Sequence, residues 1–198
     1  MSERLYDTEA GTPASPEAIA AFEAQHGIRF QPDYREFLLS TGSMCISEDF
    51  SDYNEANEID LEWPFEVDRF EGLDVDFSHF FDPAFLRIGY VVGSDGGGNP
   101  MIQLTSGRFA GKIAMLDHEV NYGGMEELIS IKNGHFPDEP DHTIAFQSFE
   151  SATDEQIIEE CESFGALAVY EMTFSTFMSQ LDEYYHAAYH ARVKAAGN

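Results

Sequence analysis

Residues 85–119, FLRIGYVVGSDGGGNPMIQLTSGRFAGKIAMLDHE, constrain the fold more than any other stretch of the chain. Three apolar runs, at 85–92, 101–104 and 112–116, are each bounded by glycines or by the Asn99-Pro100 pair. Runs this short, rich in Ile, Val, Leu and Tyr and closed by glycine clusters, read as strands rather than helices. The connectors 93–100 and 105–111 are short enough to return the chain antiparallel, so the spacing predicts a meander. Segments before and after it have one apolar face each and need a sheet to lie against.

Ahead of the meander, Ser15-Pro16 marks a helix start, with Ser as cap and Pro at the first helical position. Ile19, Phe22 and His26 recur on one face, and Gly27 is placed to end the helix. Pro32 opens a second helix through Thr41, with Tyr34, Phe37, Leu38 and Thr41 as its stripe and Gly42 as its stop. After the meander, Gly123-Gly124 breaks the chain, and residues 133–142 with Pro137 and Pro140 form a loop. Thr153-Asp154-Glu155-Gln156 is a capping box that starts an acidic helix through Ser163. Residues 166–172 read as a strand, and Thr173 caps a long final helix to about Ala195. Its stripe is Phe174, Phe177, Met178, Leu181, Tyr184, Tyr185 and Tyr189. These elements predict a single α+β domain: a mostly antiparallel sheet with two N-terminal helices and a long C-terminal helix packed on it. With 198 residues, 17 of them Phe and 9 Tyr, the chain can build a substantial core for that domain.

Charge narrows the function. Ten Lys and Arg face 37 Asp and Glu, a formal net charge of −27. A field of that sign opposes direct binding to nucleic acid or to an anionic membrane and favours a basic partner. The acids fall in two long stretches. From 44 to 83 only Arg69 opposes them, and from 133 to 191 there is no Lys or Arg. Within the first, Glu58 to Asp68 alternates: Ile59, Leu61, Trp63, Phe65 and Val67 on one side, Glu58, Asp60, Glu62, Glu66 and Asp68 on the other. A period of two describes a half-buried strand, edged at Pro64, that displays a row of carboxylates about 7 Å apart. Such a row is either a docking ridge or a solvated face that discourages edge-to-edge pairing. Acidic excess also serves solubility, but its concentration in two stretches favours a partner selected by charge.

Reactive constellations are weak. The loop 93–100 lacks the Gly-Lys-Ser/Thr of a phosphate cradle and carries Asp95, so a tight turn is the better reading. His118 stands between Asp117 and Glu119, but neighbours on a strand point to opposite faces, which separates it from a carboxylate orienter. His26 adjoins a helix end, and His135 and His142 lie in the Pro-rich loop. His186 and His190, with Asp182 a turn back, share a helical face that could chelate zinc, without the Glu of a metalloprotease helix. No calcium-loop spacing occurs, and no cofactor or resident metal is expected. Cys45 and Cys161 stand alone, which fits two reduced thiols in a cytoplasmic protein. The opening MSERLYDTEAG lacks the pattern of a secretory signal, and no run of 18 apolar residues is present.

Two blocks of residues resemble a known family. Ile19-Ala20-Ala21-Phe22-Glu23, followed by Gly27-Ile28-Arg29-Phe30-Gln31-Pro32-Asp33-Tyr34-Arg35-Glu36-Phe37-Leu38, is similar to the opening signature of the SUKH superfamily. That group includes the Smi/Knr regulators of cell-wall synthesis and killer-toxin resistance. The second block is Ile88-Gly89, then Gly96-Gly97-Gly98-Asn99, then Gly111-Lys112-Ile113 through Asp117-His118-Glu119. Departures are small: Phe30-Gln31 stands where the family has Leu before Pro, and Thr41-Gly42 where it has Asn-Gly. The resemblance covers residues 15–119 and continues through 173–181. It leaves 1–14 as an N-terminal extension and about 135–165 as an insertion within one SUKH-like domain, 15–198.

The resemblance implies a non-enzymatic α+β binding module. Bacterial members look like immunity proteins, each neutralising a cognate toxin by direct binding, and many such toxins are nucleases with basic clefts. An acidic inhibitor would present carboxylates where phosphates lie. The residues expected at that contact are Asp49, Asp52, Glu55, Glu58, Asp60, Glu62 and Glu66; Trp63 would be an aromatic anchor only if exposed, whereas the alternation places it on the apolar side. The rival readings are a regulatory scaffold for cellular proteins, and a hydrolase using His118 or a His186/His190 metal site.

Overall fold

Seven antiparallel strands form one sheet in simple chain order in the computed structural model, which describes residues 8–46, 67–74, 87–95, 97–117, 151–163 and 165–183. They are β1 (Thr8–Ala10), β2 (Met44–Ile46), β3 (Val67–Phe70), β4 (Gly89–Asp95), β5 (Pro100–Leu104), β6 (Lys112–Leu116) and β7 (Leu167–Thr173). The expected meander is its centre, β4–β5–β6, with Val91 facing Ile102 and Ile102 facing Ala114. Thr8–Ala10, within the stretch assigned to an N-terminal extension, pairs with β2 at one edge of the sheet.

β4 runs past Val92, where the sequence suggests a stop at Gly93. The glycine acts in the strand rather than ending it. A Cβ there would come within 2.5 Å of the Arg69 carbonyl oxygen, so only Gly lets β3 and β4 pair at this bulged register. The turn comes four residues later. Asp95 accepts from the Asn99 amide at 2.7 Å through Oδ1 and from Asn99 Nδ2 at 2.7 Å through Oδ2, while Gly98 adopts φ +92°. The glycine cluster thus closes a β4–β5 turn that holds its own carboxylate.

Among the described residues, four α-helices accompany the sheet. In α1 (Pro16–His26), Ser15 Oγ accepts from the Ala18 amide at 3.1 Å and Gly27 ends the helix in the left-handed region. α2 (Pro32–Ser40) stops one residue short of the expected end, with Thr41 as its cap. In α3 (Asp154–Ser163) the capping box is reciprocal: Gln156 Oε1 accepts from the Thr153 amide at 2.9 Å, and Thr153 Oγ1 accepts from the Gln156 amide at 3.2 Å. α4, residues 174–183, begins where Thr173 Oγ1 accepts from the Thr176 amide at 3.3 Å. The expected continuation to Ala195 lies outside the described residues.

Packing follows the stripes. Ile19 of α1, Tyr34, Phe37 and Leu38 of α2, and Phe174, Phe177 and Leu181 of α4 are all buried. Phe174 meets Tyr34 edge-on at 5.1 Å between ring centres and Phe37 at 5.3 Å, while Phe177 reaches Phe70 of β3 at 6.1 Å. Edge-to-face pairs of this kind add to the area they bury. β4 and β5 are buried at nearly every position, so their side chains are covered on both faces and the polar–apolar alternation of an open sheet is missing. α3 contributes Ile157, Ile158 and Cys161 to the core and packs against β7 and the 3-10 turn Gly107–Phe109.

Candidate partner-binding surface

The expected acidic row, Asp49, Asp52, Glu55, Glu58, Asp60, Glu62 and Glu66 with Trp63, lies outside the described residues. The residues immediately after it are described. β3 starts at Val67, which is buried as the alternation assigns it; Arg69, two residues on and on the same side by that period, is exposed, and the β3–β4 register shifts between the two. Arg69, the lone cation of the first acidic stretch, therefore sits within the sheet itself, paired in register with Cys45 of β2 and Ser94 of β4.

Part of the second acidic stretch is described at α3, where Asp154, Glu155 and Glu159 have partners within the chain. Asp154 Oδ1 accepts from Arg87 at 3.0 Å through Nε and lies 2.8 Å from Nη2, while Asp154 Oδ2 accepts from Ser106 Oγ at 2.7 Å. Arg87 also donates to the Ala152 carbonyl at 2.9 Å. Glu155 accepts from the Arg108 amide at 2.8 Å, and Glu159 pairs with the Arg108 guanidinium at 2.6 Å. The acidic helix is thus tied to the β5–β6 connection through Ser106 and Arg108, and to the segment just before β4 through Arg87. Nothing in the local sequence announces this, because Arg87 lies 67 residues from Asp154 and Arg108 lies 51 from Glu159.

The first signature block assembles a buried polar network rather than a reactive centre. Tyr90 Oη accepts from the Gln31 amide at 2.6 Å and donates to Gln103 Oε1 at 2.7 Å. Gln103, fully buried on β5, donates through Nε2 to Asp33 Oδ1 at 3.0 Å and to the Gly111 carbonyl at 3.2 Å. Asp33 in turn accepts from the Tyr34 amide at 2.9 Å and from the Ser175 amide at 3.1 Å. One carboxylate therefore joins the first turns of α2 and α4, where helix dipoles favour negative charge. Tyr34 donates to the Glu71 carbonyl at 2.7 Å. Sequence reasoning missed Gln103. The signal was a polar residue inside the apolar run Met101-Ile102-Gln103-Leu104, which burial allows only when every polar atom is bonded.

These groups are poor acids and nucleophiles. Burial, aided by the neighbouring Tyr90 and by Glu71, pushes the Tyr34 phenol well above its usual range. Burial raises Tyr90 as well, against the opposing effect of the Gln31 N–H. Burial pushes the Cys161 thiol up to about 12, which leaves it protonated and unreactive at neutral pH. Asp117 is exposed, its amide bonded to the Ala166 carbonyl at 2.9 Å, and Asp182 lies half-buried on α4. His118, Glu119, His135, His142, His186 and His190 lie outside the described residues. Among the described residues no group of three or more His, Cys, Asp and Glu is placed to hold a metal, and no helix is long and apolar enough to cross a membrane.

The two sequence blocks and their shared structural logic have a counterpart in known proteins. The model of the SMI1/KNR4 family (SUKH-1) matches residues 13–180. The chain belongs to the SMI1/KNR4 family. No curated protein and no solved structure matches it. The SUKH-1 match spans α1, α2, six of the seven strands, α3 and most of α4, so the network around Asp33 and the arginine-tied α3 both lie inside the family region.

Proposed function

We propose that this SUKH-1 protein is a non-enzymatic binding module that neutralises a basic toxin domain, nuclease-like in its surface, by direct binding. The observation that carries the reading is the charge of −27, with one long stretch, 44–83, opposed by Arg69 alone. α3 bears on it as well. Asp154, Glu155 and Glu159 already have partners within the chain, which makes these three acids less available to an external cation. Asp49, Asp52, Glu55, Glu58, Asp60, Glu62 and Glu66 would stand where substrate phosphates lie in a nuclease cleft, with Trp63 as anchor only if exposed. Their combined field would steer a basic domain into contact over distances that salt screens, on the order of 8 Å at physiological ionic strength.

The test is capture by the immobilised full-length protein from its own organism at low and high salt, followed by a toxicity assay on what is retained. Support would be a single basic toxin domain, released by salt and losing its toxicity when the protein is added back. Retention of several housekeeping enzymes would favour a regulatory scaffold instead. Retention of no basic protein would leave the acidic charge as a solubility device.

A further inference from the structure

The connection between α1 and α2 carries Arg29 and no carboxylate, in a chain that is strongly acidic as a whole. Two adjoining surface grooves, of about 700 Å³ and about 750 Å³, share Gly27, Ile28, Arg29, Phe30 and Pro32. Their combined lining includes three arginines, Arg29, Arg35 and Arg87, and one carboxylate, Glu23. The whole chain has ten basic residues against 37 acids, so the grooves reverse its balance.

Two of those charges are already matched. Arg35 pairs with Glu23 at 3.0 Å, and Arg87 with Asp154 at 2.8 Å. Arg29 is different: exposed between the two grooves, it pairs with no carboxylate among the described residues. Arg35, Arg87 and Arg108, by contrast, each pair with a carboxylate. The backbone that carries it is held on both sides. The Ile28 amide donates to the Glu23 carbonyl at 3.1 Å, the Phe30 amide to Glu23 Oε1 at 2.9 Å, and the Gln31 amide to Tyr90 Oη at 2.6 Å. Phe30 is anchored edge-on against Tyr90 at 4.9 Å. Little backbone order would remain to be lost on binding, which is the condition under which a surface arginine contributes most to an interface.

We propose that the two grooves together form a docking site for an extended acidic segment of a partner protein. A side-chain carboxylate of that segment is seated on the Arg29 guanidinium, and its flanking apolar side chains lie against Ala20, Ala24, Ile28 and Pro32. The planar fork of arginine matches a carboxylate in a two-bond geometry that lysine cannot reproduce. The general negative field of the protein opposes any acidic ligand at long range, but physiological salt screens that repulsion beyond roughly 8 Å, and the contact with Arg29 is shorter. The site is separate from the acidic stretch and stands whichever partner that stretch takes.

The test uses isotope-labelled full-length protein and amide chemical shifts. The probe is a short acetylated and amidated peptide with one aspartate between two leucines, compared with its asparagine counterpart. The expected result is saturable shifts confined to residues 27–35, with the aspartate peptide bound more tightly by about threefold or more, the size of an exposed ion pair. Arg29→Gln should abolish that preference and Arg29→Lys should restore part of it. Neither change should shift the thermal midpoint, since Arg29 is exposed. Equal response to the two peptides, shifts scattered over the surface, or an unchanged preference in Arg29→Gln would each overturn the assignment.

Discussion

The network around Asp33 and the ion pairs of α3 use the same chemistry, carboxylates accepting from N–H groups, in opposite surroundings. Asp33 joins Tyr34, Gln103 and Ser175 beneath α2 and α4, where Gln103 and Tyr90 are fully buried. Glu159 meets Arg108 where the two side chains keep 51% and 64% of their exposure. In the first place a broken bond strands a buried donor; in the second, water replaces it. Acidic residues therefore do structural work in proportion to burial, and the surface pairs serve mainly to place α3 and occupy its charge.

The largest effect should come from the apolar hub beside the network. Phe174→Ala removes the ring shared by Tyr34, Phe37 and Phe70 and should cost about 3–5 kcal/mol in urea unfolding. Next, Asp33→Ala strands the buried Gln103 side-chain amide and opens the exposed Ser175 amide to water. A loss of about 1–3 kcal/mol is expected, with hydrogen exchange accelerated at 174–177 before the rest of the core. Thr153→Ala removes one arm of the capping box and should cost about 1 kcal/mol. Arg108→Ala should change stability by less than about 1 kcal/mol. If Arg108→Ala proved as damaging as Asp33→Ala, the contrast between buried and exposed carboxylates would fail.

A pH series sharpens the same contrast. Burial raises the Cys161 thiol to about 12 in the folded chain against 9 in the unfolded one, so the folded state holds the proton more tightly. Its contribution to stability is complete below pH 9 and is lost as pH rises from 9 towards 12. Alkylation at pH 8 under native conditions should therefore modify half-buried Cys45 and leave Cys161 untouched until the chain is unfolded. Rapid native labelling of Cys161 would show that α3 lifts off the sheet, against the packing of Ile157 and Ile158.

What the sequence revealed was local. Ser15, Gly27 and the Thr153 box fix helix ends through partners three or four residues away, and each is found where its pattern places it. The aromatic stripes of α2 and α4 were legible because a period of 3.6 marks the buried side whatever lies opposite. Long-range pairing was not. Gln103 reaches Asp33 across 70 residues and Asp33 reaches Ser175 across 142, and no spacing rule connects them. The acids of α3 looked like free surface charge because Arg87 and Arg108 are remote in the chain. Gly93 was read as a strand end, although its function is to let two backbones approach.

The most direct test of the proposed function compares association rates with whichever basic protein the immobilised chain retains. One variant neutralises the row by Glu58→Gln, Asp60→Asn and Glu62→Gln; the other neutralises α3 by Glu155→Gln and Glu159→Gln. The row variant should associate about tenfold more slowly or worse at low salt, with the difference shrinking as salt is added, while the α3 variant stays near the wild-type rate. Equal slowing by the two variants, or no slowing by the row variant, would contradict capture through the first acidic stretch.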